Sequence, residues 1–552
     1  MRPLLVILIA ILGLHAQPPR PTEVQERRLA NGARLLLVER RGLSAFHATL
    51  VFRGGQAEEP TALAGATDLL ARALYGGTWP EDVDGSKSHP GLDALLKQEE
   101  GLLESIRLER LRARRDGAAS QLSSLEAGLE SVQSRLKAQF SASPLTDLYA
   151  ARGGHQTAEA TADALIVQTE LPQEAFEFWC RTEAQRLRTL QLSRFSQARA
   201  TLATELRAKG PQGMALLRGA ALPGHPYGRD LADYLPVLEA LRWSELRTHA
   251  RRTLNPEHLT IILIGDLSLE TALPAVERHL GSLPLPPDGE GAVLPEIPAD
   301  LGDRRVQAAM GRALRLLVGW RLPPRRHADH LALRMAAQLL GGGQTSRLPT
   351  RLVREKTLAR QVDLNLDVPG GRLPGLLVID LKPADGHNLA ELEGALHGEI
   401  LRLQQEPIPP AEWQHALAQL EADHLRIQDE PAALAQSLGR AFAEGGDWRL
   451  AELDIQRLRT LGPEVVQAAA RAWLIPSHRT TVMEEPTPGL NKDPLEAEMA
   501  RVLGALAAFR IEDLAQREHL VSEGLRQLRM LSVEDRRRTL KLLESQLPQE
   551  KR

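Results

Sequence analysis

The order of predicted elements occurs twice along this 552-residue chain, and the repeat limits the folds that it can adopt. A Pro/Gly-rich stretch without periodicity, GSLPLPPDGEGAVLPEIPADLGD at residues 281–303, separates the two halves. Each half contains apolar strands, such as HLTIILIGDLS and PGLLVIDLKP, and helices with apolar residues at helical spacing. Two copies of one α+β unit, each of roughly two hundred residues, are the simplest interpretation.

The composition argues against several classes of partner. Apolar residues make up 43% of the chain and charged residues 25%, which is typical of a globular protein. The formal net charge of −3 is that of neither a general nucleic-acid binder nor a protein that binds anionic membranes. We therefore expect no nucleic-acid partner.

The amino-terminal segment MRPLLVILIAILGLHA predicts a cleaved signal peptide at residues 1–16, because Arg2 precedes a short apolar run that ends near the small residue Ala16. An uncleaved anchor is the alternative. No later segment is long and apolar enough to span a bilayer, so no membrane span is expected after cleavage. The single cysteine, Cys180, allows no intramolecular disulfide. These features suit a bacterial protein that is periplasmic or secreted.

Two further patterns organise the first half. The run VQERRLANGARLLLVERRGLSAFHATLVF alternates apolar and polar residues around Asn31-Gly32, which predicts a β-hairpin. Residues 92–140 contain two amphipathic helical pieces, which predict a helical hairpin that turns near Gly117. This insertion is either a solvated arm or a surface that docks a partner.

Several segments then occur in a recognisable order: NGARLLLVE, a helix that ends LYGGT, TELP, ATELR, HPYGRD, LNPEHLTIILIGD and LLGGGQTSRLPTRLVREKTLA. With them, residues 24–485 resemble the pitrilysin/insulinase family of zinc peptidases, especially its periplasmic and processing-peptidase-like branch. The resemblance implies an α+β fold of two homologous metalloenzyme-like domains that form a half-clamshell, with a helical-hairpin insertion in the first.

The expected domain limits follow from this resemblance. They are a signal peptide at 1–16, an N-terminal peptidase-like domain at 22–284 with the insertion at 88–145, a linker at 285–304, a C-terminal peptidase-like domain at 305–486 and a helical tail at 487–552.

The family's zinc motif, HxxEH, has a physical logic on a helix. Two histidines four residues apart lie on one face and bind one Zn²⁺, the glutamate activates the metal-bound water, and a glutamate from a later helix completes the ligand set. Aligning the family pattern with GATDLLARALYGGT places Asp68 at the first histidine, Ala71 at the catalytic glutamate and Arg72 at the second histidine. The distal ligand position falls on Glu205, where the glutamate is kept.

This degenerate motif implies that the chain itself has no catalytic residue and no metal site. Two carboxylates remain, no imidazole is present, and the guanidinium of Arg72 cannot become a ligand. Pairing of Arg72 with Glu205 or with Asp68 would neutralise the cavity without metal. We expect no cofactor on this chain, with zinc only on a partner subunit.

The resemblance also implies positions that contact peptide. Thr157 and Ala158 stand where the family often has Asn-Ala, whose asparagine helps to hold the substrate backbone. Arg360 stands where a tyrosine often lies over the substrate. Arg347 matches a family arginine that mostly packs and caps.

No substitute active site is predicted. The sixteen histidines form neither HxxEH nor HExxH. The remaining candidates have structural interpretations: Glu412, His415, Glu421 and His424 as a solvated face of one helix, His327 and His330 as surface residues, Cys180 as a buried apolar side chain, and the glycines at 341–343 as a helix end.

Three functions remain open. The first is a non-catalytic pseudo-peptidase subunit that pairs with a zinc-containing homologue, completes a peptide-degrading chamber, and binds or orients peptide or unfolded protein. The second is a stand-alone peptide-binding or structural envelope protein, such as a self-dimer without zinc or a subunit that resembles the core subunits of respiratory cytochrome reductase. The third is an atypical metallopeptidase that uses Asp68 and Glu205, which the loss of the general base at Ala71 disfavours. By itself, the chain is not expected to hydrolyse peptides.

Overall fold

The computed structural model describes residues 23–76, 90–116, 121–139, 145–190, 192, 194–210, 212–286, 302–310, 313–486, 494–510, 514–529 and 533–545. The predicted signal peptide, most of the predicted linker and the expected turn near Gly117 lie outside these residues.

The first half contains a six-stranded mixed sheet. Its strands are β1 (Gln25–Arg28), β2 (Arg34–Glu39), β3 (Ala45–Arg53), β4 (His155–Ala160), β5 (Ala164–Pro172) and β6 (Leu259–Gly265). Their spatial order is β1-β2-β6-β3-β5-β4, with β2 and β6 parallel and the other neighbours antiparallel. The hairpin predicted around Asn31-Gly32 is confirmed, because β1 and β2 pair directly across that turn.

The first half contains ten described α-helices, of which all but the seventh contribute to the apolar core on one face of its sheet. They are α1 (Ala66–Gly76), α2 (Pro90–Asp116), α3 (Leu122–Gln139), α4 (Leu145–Ala150), α5 (Phe176–Thr189), α6 (Phe195–Lys209), α7 (Gly213–Ala221), α8 (Leu235–Ala240), α9 (Trp243–Thr253) and α10 (Leu269–His279). Helices α2 and α3 form the predicted helical-hairpin insertion, and Gln133 of α3 donates a 3.0 Å hydrogen bond to Glu99 of α2.

The second half repeats the arrangement of the first. Its strands are β7 (Arg304–Ala309), β8 (Arg315–Leu322), β9 (Ala359–Val368), β10 (Gly375–Pro383) and β11 (Arg479–Glu485), in the spatial order β7-β11-β8-β10-β9. Strands β7 and β11 are parallel, as β2 and β6 are, and the remaining neighbours are antiparallel in both sheets. The predicted α+β class with two homologous units is therefore confirmed.

The helices of this half are α11 (His330–Gly341), α12 (Leu389–Gln405), α13 (Pro410–Asp429), α14 (Pro431–Gly445), α15 (Leu450–Thr460) and α16 (Pro463–Trp473). Three more helices, α17 (Pro494–Arg510), α18 (Leu514–Arg529) and α19 (Val533–Ser545), pack on one another through a small apolar cluster. None of the described helices is both long enough and apolar enough to cross a membrane.

Each half also places one helix on the outer face of the other half's sheet. Helix α14 packs on β3 and β6 through Leu434 and Leu438. Helix α7 packs on β7, β8 and β11, and its Leu217 and Ala221 join the apolar cluster on that face. Both faces of each sheet are thereby covered, which explains why β6 and β10 are nearly continuous apolar runs.

Buried hydrogen bonds join the two halves near these helices. The Tyr227 hydroxyl donates to the Asp163 carboxylate and accepts a 3.2 Å bond from the backbone N–H of Leu373. Asp163 also accepts the backbone N–H groups of Gly371 at 3.0 Å and Arg372 at 3.2 Å. The buried Tyr227 hydroxyl and Asp163 carboxylate therefore each have a hydrogen-bond partner in the opposite half.

The expectation that His330 lies at the surface is wrong. Its side chain is buried, and Nε2 lies 2.7 Å from Oδ1 of Asp367 on β9. Burial favours the neutral acid at Asp367, but the hydrogen bond and charge of His330 outweigh it and lower the pKa of that carboxyl. The histidine turns inward because this carboxylate satisfies its ring, whereas His327 remains exposed as expected.

Candidate functional site

Helix α1 carries the motif positions, and the preceding loop holds its amino terminus. The Glu59 carboxylate accepts the backbone N–H groups of Gly65 at 2.8 Å and Thr67 at 2.6 Å, so it caps the first turn. Burial raises the pKa of Glu59 to about 7 even though these hydrogen bonds favour its charged form.

Three motif positions have different environments along this helix. Asp68 and Arg72 are four residues apart and lie on one face, where both line the same cavity. Ala71, at the position of the catalytic glutamate, is 3% exposed and belongs to the hydrophobic core of the first half. The position that the predicted alignment gives to the catalytic glutamate therefore holds a methyl group in the core and no carboxylate.

Arg72 forms a bidentate ion pair with Glu205 of α6. Its two terminal nitrogens lie 3.0 Å from Oε1 and 2.7 Å from Oε2 of the carboxylate. The side chains remain 37% and 45% exposed, so water screens much of their attraction. Of the two partners considered for Arg72, the structure selects Glu205.

Asp68 has a different partner. Its Oδ2 accepts a 2.7 Å hydrogen bond from the Gln56 side chain. Burial raises the pKa of Asp68 above its usual range, although the Gln56 hydrogen bond and the charge of Arg72 oppose this shift. The site therefore contains two separate polar pairs, one between Gln56 and Asp68 and the other between Arg72 and Glu205.

These residues do not fit zinc. A catalytic zinc site uses three protein ligands, usually including histidine, and keeps one position open for water. Only the carboxylates of Asp68 and Glu205 could serve, and the guanidinium bound to Glu205 is a permanent positive charge where a cation would sit. Across the described part of the chain, no cluster of three or more His, Cys, Asp or Glu side chains has metal-binding geometry.

The cavity beside the motif has a volume of about 230 Å³. Gln56, Asp68 and Arg72 line one part of it, and Arg218 of α7 and Arg229 line another. Arg218 was not singled out by the sequence pattern, because α7 reads as a short run of small and apolar residues. Its position becomes apparent only when α7 is packed against the second sheet.

The four predicted peptide-contact residues do not line this cavity. Thr157 and Ala158 lie on β4, the last strand of the first sheet, and Arg360 lies on β9, the last strand of the second. Thr157 and Arg360 are exposed, whereas Arg347 is largely buried in a bidentate pair with Glu412 at 2.6 and 3.0 Å. Their role in peptide binding stays a prediction.

The other candidates have ordinary structural environments. Glu412, His415, Glu421 and His424 lie on the single helix α13, and no two of their side chains share a hydrogen-bond partner among the described residues. Cys180 is buried as expected, and burial raises the pKa of its thiol, which keeps it protonated.

Comparison with known proteins agrees with this architecture. Residues 243–420 match the family described as the Peptidase M16 inactive domain. A protein of Mycobacterium leprae (strain TN), described as an uncharacterized zinc protease, is 25% identical over 263 residues, which are 46% of this chain and 57% of that protein. The match therefore spans little more than half the length of that relative.

Solved structures share the fold. The crystal structure of a protease from Helicobacter pylori has a TM-score of 0.66 at 16% identity, covering 84% of this chain and 100% of that one. A peptidase M16 inactive domain from Pseudomonas fluorescens has a TM-score of 0.61 at 19% identity, covering 84% and 98%. The resemblance to the pitrilysin/insulinase zinc peptidases is confirmed at this level: residues 243–420 match the M16 inactive-domain family, and most of the chain has the fold of M16-type peptidase structures.

Proposed function

We propose that this chain is a non-catalytic pseudo-peptidase subunit, which pairs with a zinc-containing homologue and binds or orients peptide in a shared chamber. One observation carries the proposal: the bidentate Arg72–Glu205 pair uses the retained distal glutamate and places a cation at the second ligand position. With Ala71 in the core, the chain also lacks the carboxylate that would accept a proton from the attacking water. The homologue must then supply the hydrolytic chemistry.

The two edge strands support a role in holding peptide. Strands β4 and β9 each end a sheet within the described part of the chain, where one side of each presents backbone N–H and C=O groups without a described neighbouring strand. An extended peptide can add to such an edge through main-chain hydrogen bonds, which bind many sequences alike. The exposed Thr157 and Arg360 would then lie beside the bound chain.

The direct test mixes this chain with a homologue that retains HxxEH and is encoded by the same organism. Zinc content and hydrolysis of an unstructured fluorogenic peptide are measured for each protein alone and for the mixture. We expect a stable heterodimer with about one zinc per pair, none on this chain, and at least tenfold more hydrolysis than the homologue alone gives.

Two charge-reversal variants distinguish a local effect at the edge of β9 from a general effect of the changed net charge. Arg360→Glu should reduce hydrolysis by the mixture several-fold, because it puts a carboxylate beside the edge of β9. Arg251→Glu, on the exposed face of α9, is the control and should leave hydrolysis unchanged. A chain that does not associate with the homologue, or leaves its activity unchanged, contradicts the subunit proposal.

The second candidate is a stand-alone peptide-binding or structural protein of the cell envelope. One observation favours it: the exchanged helices α7 and α14 cover both sheets within one chain, so neither core needs a partner to exclude water. A zinc-free self-dimer that binds peptide without hydrolysis is the result expected from this candidate. Export, which both candidates require, is tested by cell fractionation and by sequencing the amino terminus of the mature protein.

A further inference from the structure

One charged side chain beside the degenerate motif is not explained by the ion pair of Arg72. Arg218 projects from α7 into the cavity, and its Nε is buried without a hydrogen-bond acceptor among the described residues. Burial lowers the pKa of Arg218, and this effect outweighs the opposing effect of the negative charge of Asp230. A half-buried guanidinium without a bound carboxylate is costly, which marks it as a candidate ligand-binding group.

Two more cations face the same space without carboxylate partners among the described residues. Arg229 donates to the backbone carbonyl of Glu59 at 2.7 Å and to the Thr61 hydroxyl at 3.3 Å, so its charge is not neutralised by either contact. Lys209, at the end of α6, forms no described ion pair and also lines the cavity. Three cationic side chains thus surround a space large enough for a small acidic group.

The carboxylates that line the cavity are engaged elsewhere. Asp230 accepts the backbone N–H of Ala232, and Asp68 accepts the Gln56 side chain. Both oxygens of Glu59 accept backbone N–H groups at the start of α1. None of these three carboxylates accepts a hydrogen bond from Arg218 within the described structure, so its donors remain available to a ligand.

The cavity lies where a peptide on the edge strand would end. Strand β4 runs toward it, because Ala162, just beyond the end of β4, lines the cavity. The backbone N–H of Gln56, which also lines the cavity, donates to the carbonyl of Thr161 at 3.1 Å. A peptide parallel to β4 would bring its terminal carboxylate to this point, and an antiparallel one would bring side chains near its amino end.

We propose that this cavity binds a carboxylate of the bound peptide, with the guanidinium of Arg218 as the hydrogen-bond donor and Lys209 and Arg229 as supporting charges. The planar guanidinium suits this role, because its parallel N–H groups match the two oxygens of a carboxylate. The inference rests on the proposed peptide binding and adds the chemical group that is recognised.

Fluorescence anisotropy with three synthetic peptides tests the proposal on the full chain. All are based on one unstructured sequence without acidic side chains and carry an uncharged BODIPY fluorophore at the amino terminus, because fluorescein would itself supply a carboxylate. The first has a free terminal carboxylate, the second has a terminal amide, and the third has a terminal amide with one internal glutamate. The terminal and side-chain sources of the carboxylate are thereby separated.

We expect either the peptide with the free terminal carboxylate or the amide with the internal glutamate to bind about tenfold to a hundredfold more tightly than the neutral amide. Arg218→Gln should abolish this preference, so that the acidic peptides and the neutral amide bind the variant equally. Arg251→Gln, on the exposed face of α9, is the control and should preserve the preference. The comparison among peptides on the unmodified chain requires no variant to fold.

Two negative results have different meanings. Equal affinity for all three peptides, unchanged by Arg218→Gln, would overturn the carboxylate site while leaving peptide binding in place. If the unmodified chain bound none of the peptides, peptide binding itself would be wrong and this inference with it.

Discussion

The exchange of helices between the halves can be tested at one glycine. Gly439 of α14 is buried against the first sheet, and a Cβ added there would lie 2.7 Å from Cγ2 of Val51 and 3.5 Å from Cδ1 of Ile262. Val51 is fully buried in β3, and its branched side chain cannot rotate freely away. The substitution Gly439→Ala must therefore move the helix or the strand.

The expected magnitude follows from two opposing terms. Replacing glycine by alanine in a helix interior raises the free energy of unfolding by about 0.5–1 kcal/mol. Forcing an extra carbon into a packed interface typically costs about 1–3 kcal/mol. The matched control is Gly394→Ala in α12, where no atom lies within 4 Å of the added Cβ, so only the first term acts.

Urea denaturation of both variants, followed by circular dichroism, measures the free energy of unfolding. We expect Gly394→Ala to raise it and Gly439→Ala to lower it or leave it near the unmodified value, with a difference of about 1–3 kcal/mol between the variants. If Gly439→Ala stabilised the protein as much as the control does, α14 would not pack on the first sheet, and the reasoning would be refuted.

Three other predictions concern the site and its surroundings. A double-mutant cycle with Arg72→Ala and Glu205→Ala should give a coupling energy below about 1 kcal/mol, because the two side chains are 37% and 45% exposed to water. A coupling energy above about 2 kcal/mol would contradict this expectation. Burial lowers the pKa of His249 to about 4, so between that pH and 6.5 the unfolded chain binds more protons than the folded one. Stability should therefore fall as the pH is lowered through this window, by roughly 3 kcal/mol from this residue, and urea denaturation of His249→Gln should show a shallower fall. Tyr227→Phe removes the buried hydroxyl that joins the halves, and it should lower the free energy of unfolding by about 1–3 kcal/mol in the same assay. The control is Tyr234→Phe, which should change stability little because the Tyr234 hydroxyl forms no described hydrogen bond.

Central strands are predictable from this sequence, whereas the edge strand β4 is not. Strand β6, with the sequence LTIILIG, is buried throughout, so its apolar run alone indicates a strand between covered faces. Strand β4, with the sequence HQTAEA, has few residues that favour strands and is held by its pairing with β5 alone. Strand formation at this edge depends on a neighbour more than on local preference, which is why the pattern did not predict it.

The covering helices show a second limit of sequence patterns. The residues of α7 and α14 are compatible with helices, but a helical pattern does not say which sheet an apolar face will cover. Leu217 and Leu438 pack on sheets whose strands lie about a hundred or more residues away in the chain. Such long-range packing depends on the relative placement of the two halves, and so does the position of Arg218 in the cavity.

The candidate site was predictable in position and only partly in contacts. The helical spacing placed Asp68 and Arg72 on one face and left two partners open for the guanidinium. Asp68 is occupied by the side chain of Gln56, which reaches it from a short 3-10 helix (Gln56–Glu58), and Arg72 pairs with Glu205 instead. Because this 3-10 helix is separate from α1, Gln56 has no periodic relation to the helix, and its role required the structure.

Helix α1 is held in place by contacts outside the predicted motif positions. Leu69 and Leu74 anchor the helix in the core, and Glu59 caps its first turn, whereas the Arg72–Glu205 pair lies in contact with water. Ala71, where the predicted alignment places the general base, is part of that core. A glutamate there would have to leave the core or bury a carboxylate at a cost of several kcal/mol. Introducing histidines at Asp68 and Arg72 alone would therefore leave the site without a proton acceptor, and we expect such a variant not to hydrolyse peptides.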